Sequence, residues 1–115
     1  MKTFDEYEKA AVSTAGYPLI GENLVYPALG LAGESGEAAD KVKKWWRNSG
    51  IFPSLNTLTP EQKTELIKEV GDVLWYIAAI ANELNIPLEE IATANIAKLS
   101  DRRERGVVKS EGDNR

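Results

Sequence analysis

Apolar residues recur at three- and four-residue spacing in two long stretches of the chain. Leu66, Val70, Val73, Ile77, Ile80 and Leu84 fall on one side of a helix, and so do Leu31, Ala38, Val42 and Trp45. The first stripe marks the central packing helix. Its start is well signalled: Thr59 is a good N-cap, Pro60 suits the first helical position, and Gln62 completes a capping box. That helix is predicted to run to residue 84 or 85. The second stripe predicts a helix from about residue 23–27 to 48, ended by Gly50. A short helix over residues 3–15 precedes it, with Thr3 as cap, Glu6 as capping-box partner, and Phe4, Tyr7, Ala10 and Ala11 as its apolar side. Gly16-Tyr17-Pro18 ends it, and residues 19–26 read as irregular. Asn85-Ile86-Pro87 breaks the chain before a fourth helix that reaches about residue 103. Its apolar face is Leu88, Ile91, Ala92 and Leu99, and Glu89 and Glu90 suit its first turn. The loop 50–58 carries Ile51, Phe52 and Leu55, which predicts that it packs down. The expectation is an all-α domain over residues 1–106, with residues 107–115 as a polar, frayed tail.

Two acidic pairs interrupt this pattern: Glu34 with Glu37, and Glu69 with Asp72. Each is spaced three apart, which puts both carboxylates on one helix face. One such pair alone is usually a solvated face. These border the apolar stripes, at about 100° per residue, so two antiparallel helices would bring four carboxylates to one point. Converging carboxylates repel unless a cation cancels their charge, and hard divalent cations prefer oxygen ligands. Glycines add to this. Gly30, Gly33 and Gly36 recur at helical spacing and Gly71 splits the second pair. Each interior glycine costs a helix roughly 1 kcal/mol relative to alanine, which predicts close approach of a backbone, ligand or metal there.

Composition narrows the chemistry. The 115 residues, 43% hydrophobic and 28% charged, make one domain with a modest core. There is no cysteine and no histidine, so thiolate and imidazole chemistry is excluded and a Glu-x-x-His di-iron bundle with it. A net charge of -4 argues against a nucleic-acid surface. No membrane-length apolar run and no signal-peptide pattern occur, so a cytoplasmic protein is expected. Lys41 and Lys44 project on the side of Glu34 and Glu37. They read either as helix ion pairs, such as Glu37 with Lys41, or as phosphate contacts. Tyr76, four residues after Asp72, shares its face and is a candidate substrate contact. Trp45 reads as core or subunit interface, Trp46 as interface or base-stacking wall. Asn95, Lys98 and Arg102 fall on or beside the apolar face of the fourth helix, where phosphate oxygens or a structural network would satisfy them.

The runs from Gly30 to Lys44, from Glu69 to Tyr76, and from Asn95 to Leu99 with Arg102 resemble the three motifs of MazG-like nucleotide pyrophosphohydrolases, the all-α NTP pyrophosphatase superfamily. The long connection between the acidic pairs departs from the pattern. The resemblance implies hydrolysis of an NTP or dNTP to the monophosphate and pyrophosphate. It implies Mg²⁺, with Mn²⁺ as a substitute, held by Glu34, Glu37, Glu69 and Asp72, one of which also serves as general base. Lys98, Arg102 and Lys41 or Lys44 would face the phosphates, and Asn95 a phosphate or sugar oxygen. It further implies a four-helix MazG-like bundle completed by homo-oligomerisation, as a homodimer or homotetramer. That fits the wide apolar faces of the two long helices. The alternative is a non-catalytic nucleotide-sensing or assembly module of the same fold.

Overall fold

The computed structural model describes residues 3–106. It contains α1 (Phe4–Ser13), α2 (Val25–Ser49), α3 (Pro60–Glu83) and α4 (Leu88–Arg105). No strand occurs among the described residues. No helix among them is long and apolar enough to cross a membrane. The tail expected at 107–115 lies outside the described residues.

The helix ends form where the capping chemistry puts them. Thr3 Oγ1 accepts from the Glu6 N–H at 3.1 Å. Thr59 Oγ1 accepts from the Gln62 N–H at 3.1 Å while the Gln62 side chain accepts from the Thr59 N–H at 3.0 Å, the reciprocal pair expected. Gly50 takes the left-handed conformation, φ 72°, and donates to the Trp46 carbonyl at 2.8 Å. α1 stops two residues short of expectation because Thr14 folds its hydroxyl back onto the Ala11 carbonyl at 2.7 Å. α4 has no side-chain cap of its own. Glu8 of α1 supplies one, accepting from the Leu88 N–H at 3.1 Å. Asn85, left-handed at φ 56°, makes the turn that brings α4 there.

A small core joins three of the helices. Ala11 of α1, Ala78 and Ala81 of α3 and Leu88 of α4 are buried, with Tyr7, Trp75, Ile77 and Ile91 packed around them. α2 lies along α3 and packs on no other helix. This arrangement corrects three expectations. Val70 and Leu84, on the predicted core stripe of α3, are half-exposed. The alanine core with which α1 and α4 pack lies in the second half of α3. The loop 50–58 does not pack down: Ile51, Phe52 and Leu55 are exposed. Local bonds hold it instead, the Thr57 hydroxyl donating to the Phe52 carbonyl and accepting from the Ser54 N–H, each at 2.8 Å. A fourth expectation also changes: Leu99, on the predicted apolar face of α4, is 40% exposed.

One carboxylate fixes where α2 begins. Glu83, at the end of α3, accepts from the Tyr17 hydroxyl and from the N–H groups of Gly21 and Asn23, each at 2.6 Å. Asn23 in turn accepts from the Tyr26 N–H at 3.0 Å, closing the first turn of α2. The Tyr17 and Tyr26 rings stack at 4.8 Å and 6°. The Tyr17 bond holds the Glu83 pKa below the ordinary glutamate range, helped by the two backbone donors. Burial, then the carboxylate, pushes the Tyr17 phenol up to about 12. Both shifts have a sign in stability. The glutamate contribution is present above the ordinary glutamate pKa and lost as pH falls through the lowered value. The tyrosine contribution is complete below pH 10 and lost as pH rises towards 12. Tyr17→Phe should lower stability at neutral pH, because it removes a hydrogen bond to a charged group. It should also abolish the tyrosine part of the alkaline loss. Denaturant unfolding from pH 7 to 12 measures both.

Candidate metal centre

The helical spacing of the acids and the alignment of α2 with α3 build the centre. Glu34, Glu37 and Glu69 each offer an oxygen, and these oxygens lie within 4.8 Å of one another. Glu34 Oε2 and Glu69 Oε2 are buried and have no hydrogen-bond partner. Buried polar atoms are rarely left so. Burial raises the Glu34 pKa; the charge of Glu37 and a hydrogen bond shared with it raise it further, and the charges of Asp72 and Glu69 add to this. Asp72 stands outside the triad but beside it. It shares with Glu34 the wall of an open cavity of about 360 Å³, also lined by Thr14, Trp75 and Tyr76. A donor set of carboxylate oxygens alone, with two of them orphaned, fits a hard divalent cation.

The basic residues divide. Lys41 reaches across to α3, with Nζ 3.8 Å from Glu69 and 4.0 Å from Glu65. Of the two sequence readings for Lys41, the ion pair is the one present, but it crosses between helices instead of running along α2 to Glu37. Lys44 pairs with Asp40 at 2.6 Å, and Lys43 joins it at 3.1 Å. These bonds pull the Asp40 pKa down. Lys44 is thus engaged one turn away from the triad. α4 packs on α1 and α3, so Asn95, Lys98 and Arg102 stand on a helix without contact to α2. Asn95 is exposed, Lys98 half-buried and Arg102 buried, the last two with partners within the chain.

Tyr76 does reach the site. Its ring lies over Gly30, where a Cβ would overlap it, which explains that glycine. Gly33, Gly36 and Gly71 meet nothing. Burial raises the Tyr76 phenol, then Tyr26, with Glu34 and Asp72 adding to it. Trp75 stands edge-on to Tyr76 at 5.0 Å and donates its indole N–H to Thr14 Oγ1 at 2.9 Å. Tyr7 of α1 is near enough for Asp72 to add to its burial-raised pKa. The sequence reading missed Thr14, Tyr17, Tyr26 and Glu83. Glu83 carried a usable signal, being seven residues beyond Tyr76 on the same helical face. A larger groove of about 590 Å³, lined by Glu8, Val12, Asn82 and Pro87 among others, lies between α1 and the α3–α4 turn. None of the acidic pairs lines it, and neither of the two unpartnered buried oxygens does.

A raised Glu34 pKa means that the cation-free fold is strained by its own charge. That part of the stability is present below the ordinary glutamate pKa and lost as pH rises through the raised value. Glu34→Gln should therefore raise the melting temperature in EDTA at pH 7 and flatten its fall as the pH rises above the ordinary glutamate pKa. Added Mg²⁺ or Mn²⁺ should stabilise the wild type more than the variant. Thermal scans with and without the ions check this.

The comparisons with known proteins follow the same site. The MazG nucleotide pyrophosphohydrolase domain family matches residues 27–107, which include both acidic pairs. The "Gene 37 protein" of Mycobacterium phage L5 is 42% identical over 116 residues, covering 96% of this chain and 97% of that protein. The "Uncharacterized protein YvdC" of Bacillus subtilis (strain 168) is 35% identical over 69 residues, 60% of this chain and 65% of that one. No solved structure matches.

Proposed function

The chain belongs to the MazG nucleotide pyrophosphohydrolase domain family, and from that premise we propose that it is a Mg²⁺-dependent nucleoside triphosphate pyrophosphohydrolase. The substrate is an NTP or dNTP. Water adds to the α-phosphorus, the bond from that phosphorus to the oxygen bridging the α- and β-phosphates breaks, and nucleoside monophosphate and pyrophosphate leave. The observation that carries this reading is the pair of orphaned buried oxygens on Glu34 and Glu69, with Glu37 in the same cluster. Nothing else among the described residues asks so plainly for a cation.

Glu34, Glu37, Glu69 and Asp72 would hold the Mg²⁺, with Mn²⁺ able to replace it. When bound, the metal neutralises the phosphates and lowers the pKa of water. One of the four carboxylates takes the proton of the attacking water. Lys41 is the cation already at the rim, and its release from Glu69 would turn it towards phosphate. Lys98, Arg102 and Lys44 are the further phosphate candidates, Asn95 orients a phosphate or sugar oxygen, and Tyr76 forms a wall of the substrate cavity. The working unit is one domain over residues 1–106 in the cytoplasm, assembled as a homodimer or homotetramer. The chain supports assembly in its spread: its radius of gyration is 17.0 Å, against about 13 Å for a compact chain of this length.

Pyrophosphate, not free phosphate, should appear when a panel of canonical and modified NTPs and dNTPs is incubated with the protein and Mg²⁺. Glu37→Gln and Asp72→Asn should lower the rate by at least about 100-fold, since loss of even an outer-shell partner of a metal costs 10- to 100-fold. Near wild-type rates in either variant, or steady release of the γ-phosphate, would exclude this chemistry. Binding of nucleotides without turnover would favour the sensing module. Activity should also fall as the assembly dissociates, which light scattering and rates across one dilution series will show. A fully active monomer contradicts that.

A further inference from the structure

α2 has two faces, and only one is used. Pro27, Leu31, Glu34, Ala38, Lys41 and Trp45 turn towards α3. On the opposite side, about 180° round at 100° per residue, run Val25, Leu29, Ala32, Gly36, Ala39 and Trp46, with Lys43 completing the spacing. Their steps are four and three residues, alternating, which is the repeat of a helix that seats a second helix along its length. All are exposed: Val25 by 67%, Leu29 by 68% and Trp46 by 51%. Among the described residues, α3 is the helix that packs on α2, and no other does.

We propose that this face of α2 is the seam of a homodimer, in which two α2 helices cross antiparallel with Gly36 on the two-fold axis. The inference deepens the assembly proposed above by naming its contact surface. Three observations favour a second copy as the occupant. The sizes along the stripe are symmetric about Gly36: small residues at 32, 36 and 39, large ones at 25, 29, 43 and 46, so that Leu29 meets the alkyl stem of the partner's Lys43. An antiparallel partner therefore sets Val25 against the partner's Trp46, and alanine against alanine, so that the surface complements itself as a two-fold contact must. Next, Gly36 answers no need within the chain, for a Cβ there meets nothing. A close crossing of two helix axes explains why the helix carries a residue that weakens it. Finally, the apolar exposure continues past both ends of α2. Leu19 and Ile20 are exposed before it, Ile51 and Phe52 after it, and Phe52 stands edge-on to Trp46 at 5.2 Å. Only an antiparallel crossing brings each such end over the other. The seam lies on the back of the helix that presents Glu34 and Glu37, so closing it holds two of the proposed ligands in place.

The chain has no cysteine, so introduced ones report alone. Gly36→Cys should link to its own copy under mild oxidation. Val25→Cys should not, because the two copies would sit roughly 33 Å apart, being eleven residues either side of the axis at 1.5 Å each. Gly36→Gln has open space in the single chain and blocks the crossing. It should keep its helix content by circular dichroism and sediment as a monomer at concentrations where the wild type is a dimer, with association weakened at least ten-fold. A Val25→Cys self-link, a Gly36→Gln protein that still dimerises like the wild type, or a monomeric wild type would each overturn the seam. Mass and cross-linking are read without turnover. A dimer linked at residue 36 that releases no pyrophosphate would sink the enzymatic reading alone, and a monomer that does release it would sink the seam alone.

Discussion

The repulsion between carboxylates across the α2–α3 interface is the constraint on which the rest of the structure depends. Two helices that place Glu34 and Glu37 against Glu69, with Asp72 beside them, would separate if nothing held them. Lys41 offsets part of this from the rim, at 3.8 Å from Glu69. The remainder is opposed from the far end. Glu83 grips the segment that leads into α2 through three donors at 2.6 Å, and Asn23 passes that grip to the first turn of the helix. The alanine core of α1, α3 and α4 keeps α3 fixed while this happens. A site that resists its own charge is ready for a cation, since binding relieves the strain as it supplies the charge.

Most of this was legible in the sequence, for reasons that can be named. The helices begin and end at residues whose local chemistry is decisive: Thr59 with Gln62, Gly50 left-handed, Thr3 over Glu6. The acidic triad follows from a spacing of three and from its angle to the apolar stripes. What depends on distant partners was not legible. The Glu83 carboxylate and the Tyr17 phenol are 66 residues apart, and nothing local in Gly16-Tyr17-Pro18 announces a bond. Lys41 was readable as a helix ion pair with Glu37 by spacing, yet the shorter route to neutral charge lay across the interface. The third motif is the other case. Asn95, Lys98 and Arg102 share a face of α4, but their periodicity says nothing about which helix α4 lies beside, and it is not α2.

The glycines separate two demands that look alike in sequence. Gly30 is required by its own chain: the Tyr76 ring occupies the place of its Cβ, and so a tyrosine of α3 can lie at the edge of the carboxylate cluster. Gly33, Gly36 and Gly71 are not required in that sense, because space beside them is open. Helical spacing alone could not divide these groups; the distance to Tyr76 does. The residues that remain unexplained by intrachain packing are the same ones that leave the back of α2 and the first half of α3 bare, with Val70 half-exposed between Gly71 and Ile67.

That coincidence bears on how a chain this short supports a strained site. Its buried apolar residues are few and mostly alanine, so the core within one copy is a weak counterweight to four facing acids. The large apolar side chains are there, but outside: Val25, Leu29, Trp46, Ile51, Phe52 and Ile67. Burying them needs a surface that this chain does not provide to itself. The stabilisation that holds α2 against α3 would then come from behind α2, where bulk can be buried without crowding the carboxylates, and the front would be left to charge. The arrangement divides the helix by function along its length: apolar residues at both ends, small residues at the middle, and Glu34 and Glu37 opposite the small ones, where two helix axes can come closest and the backbone is held most firmly.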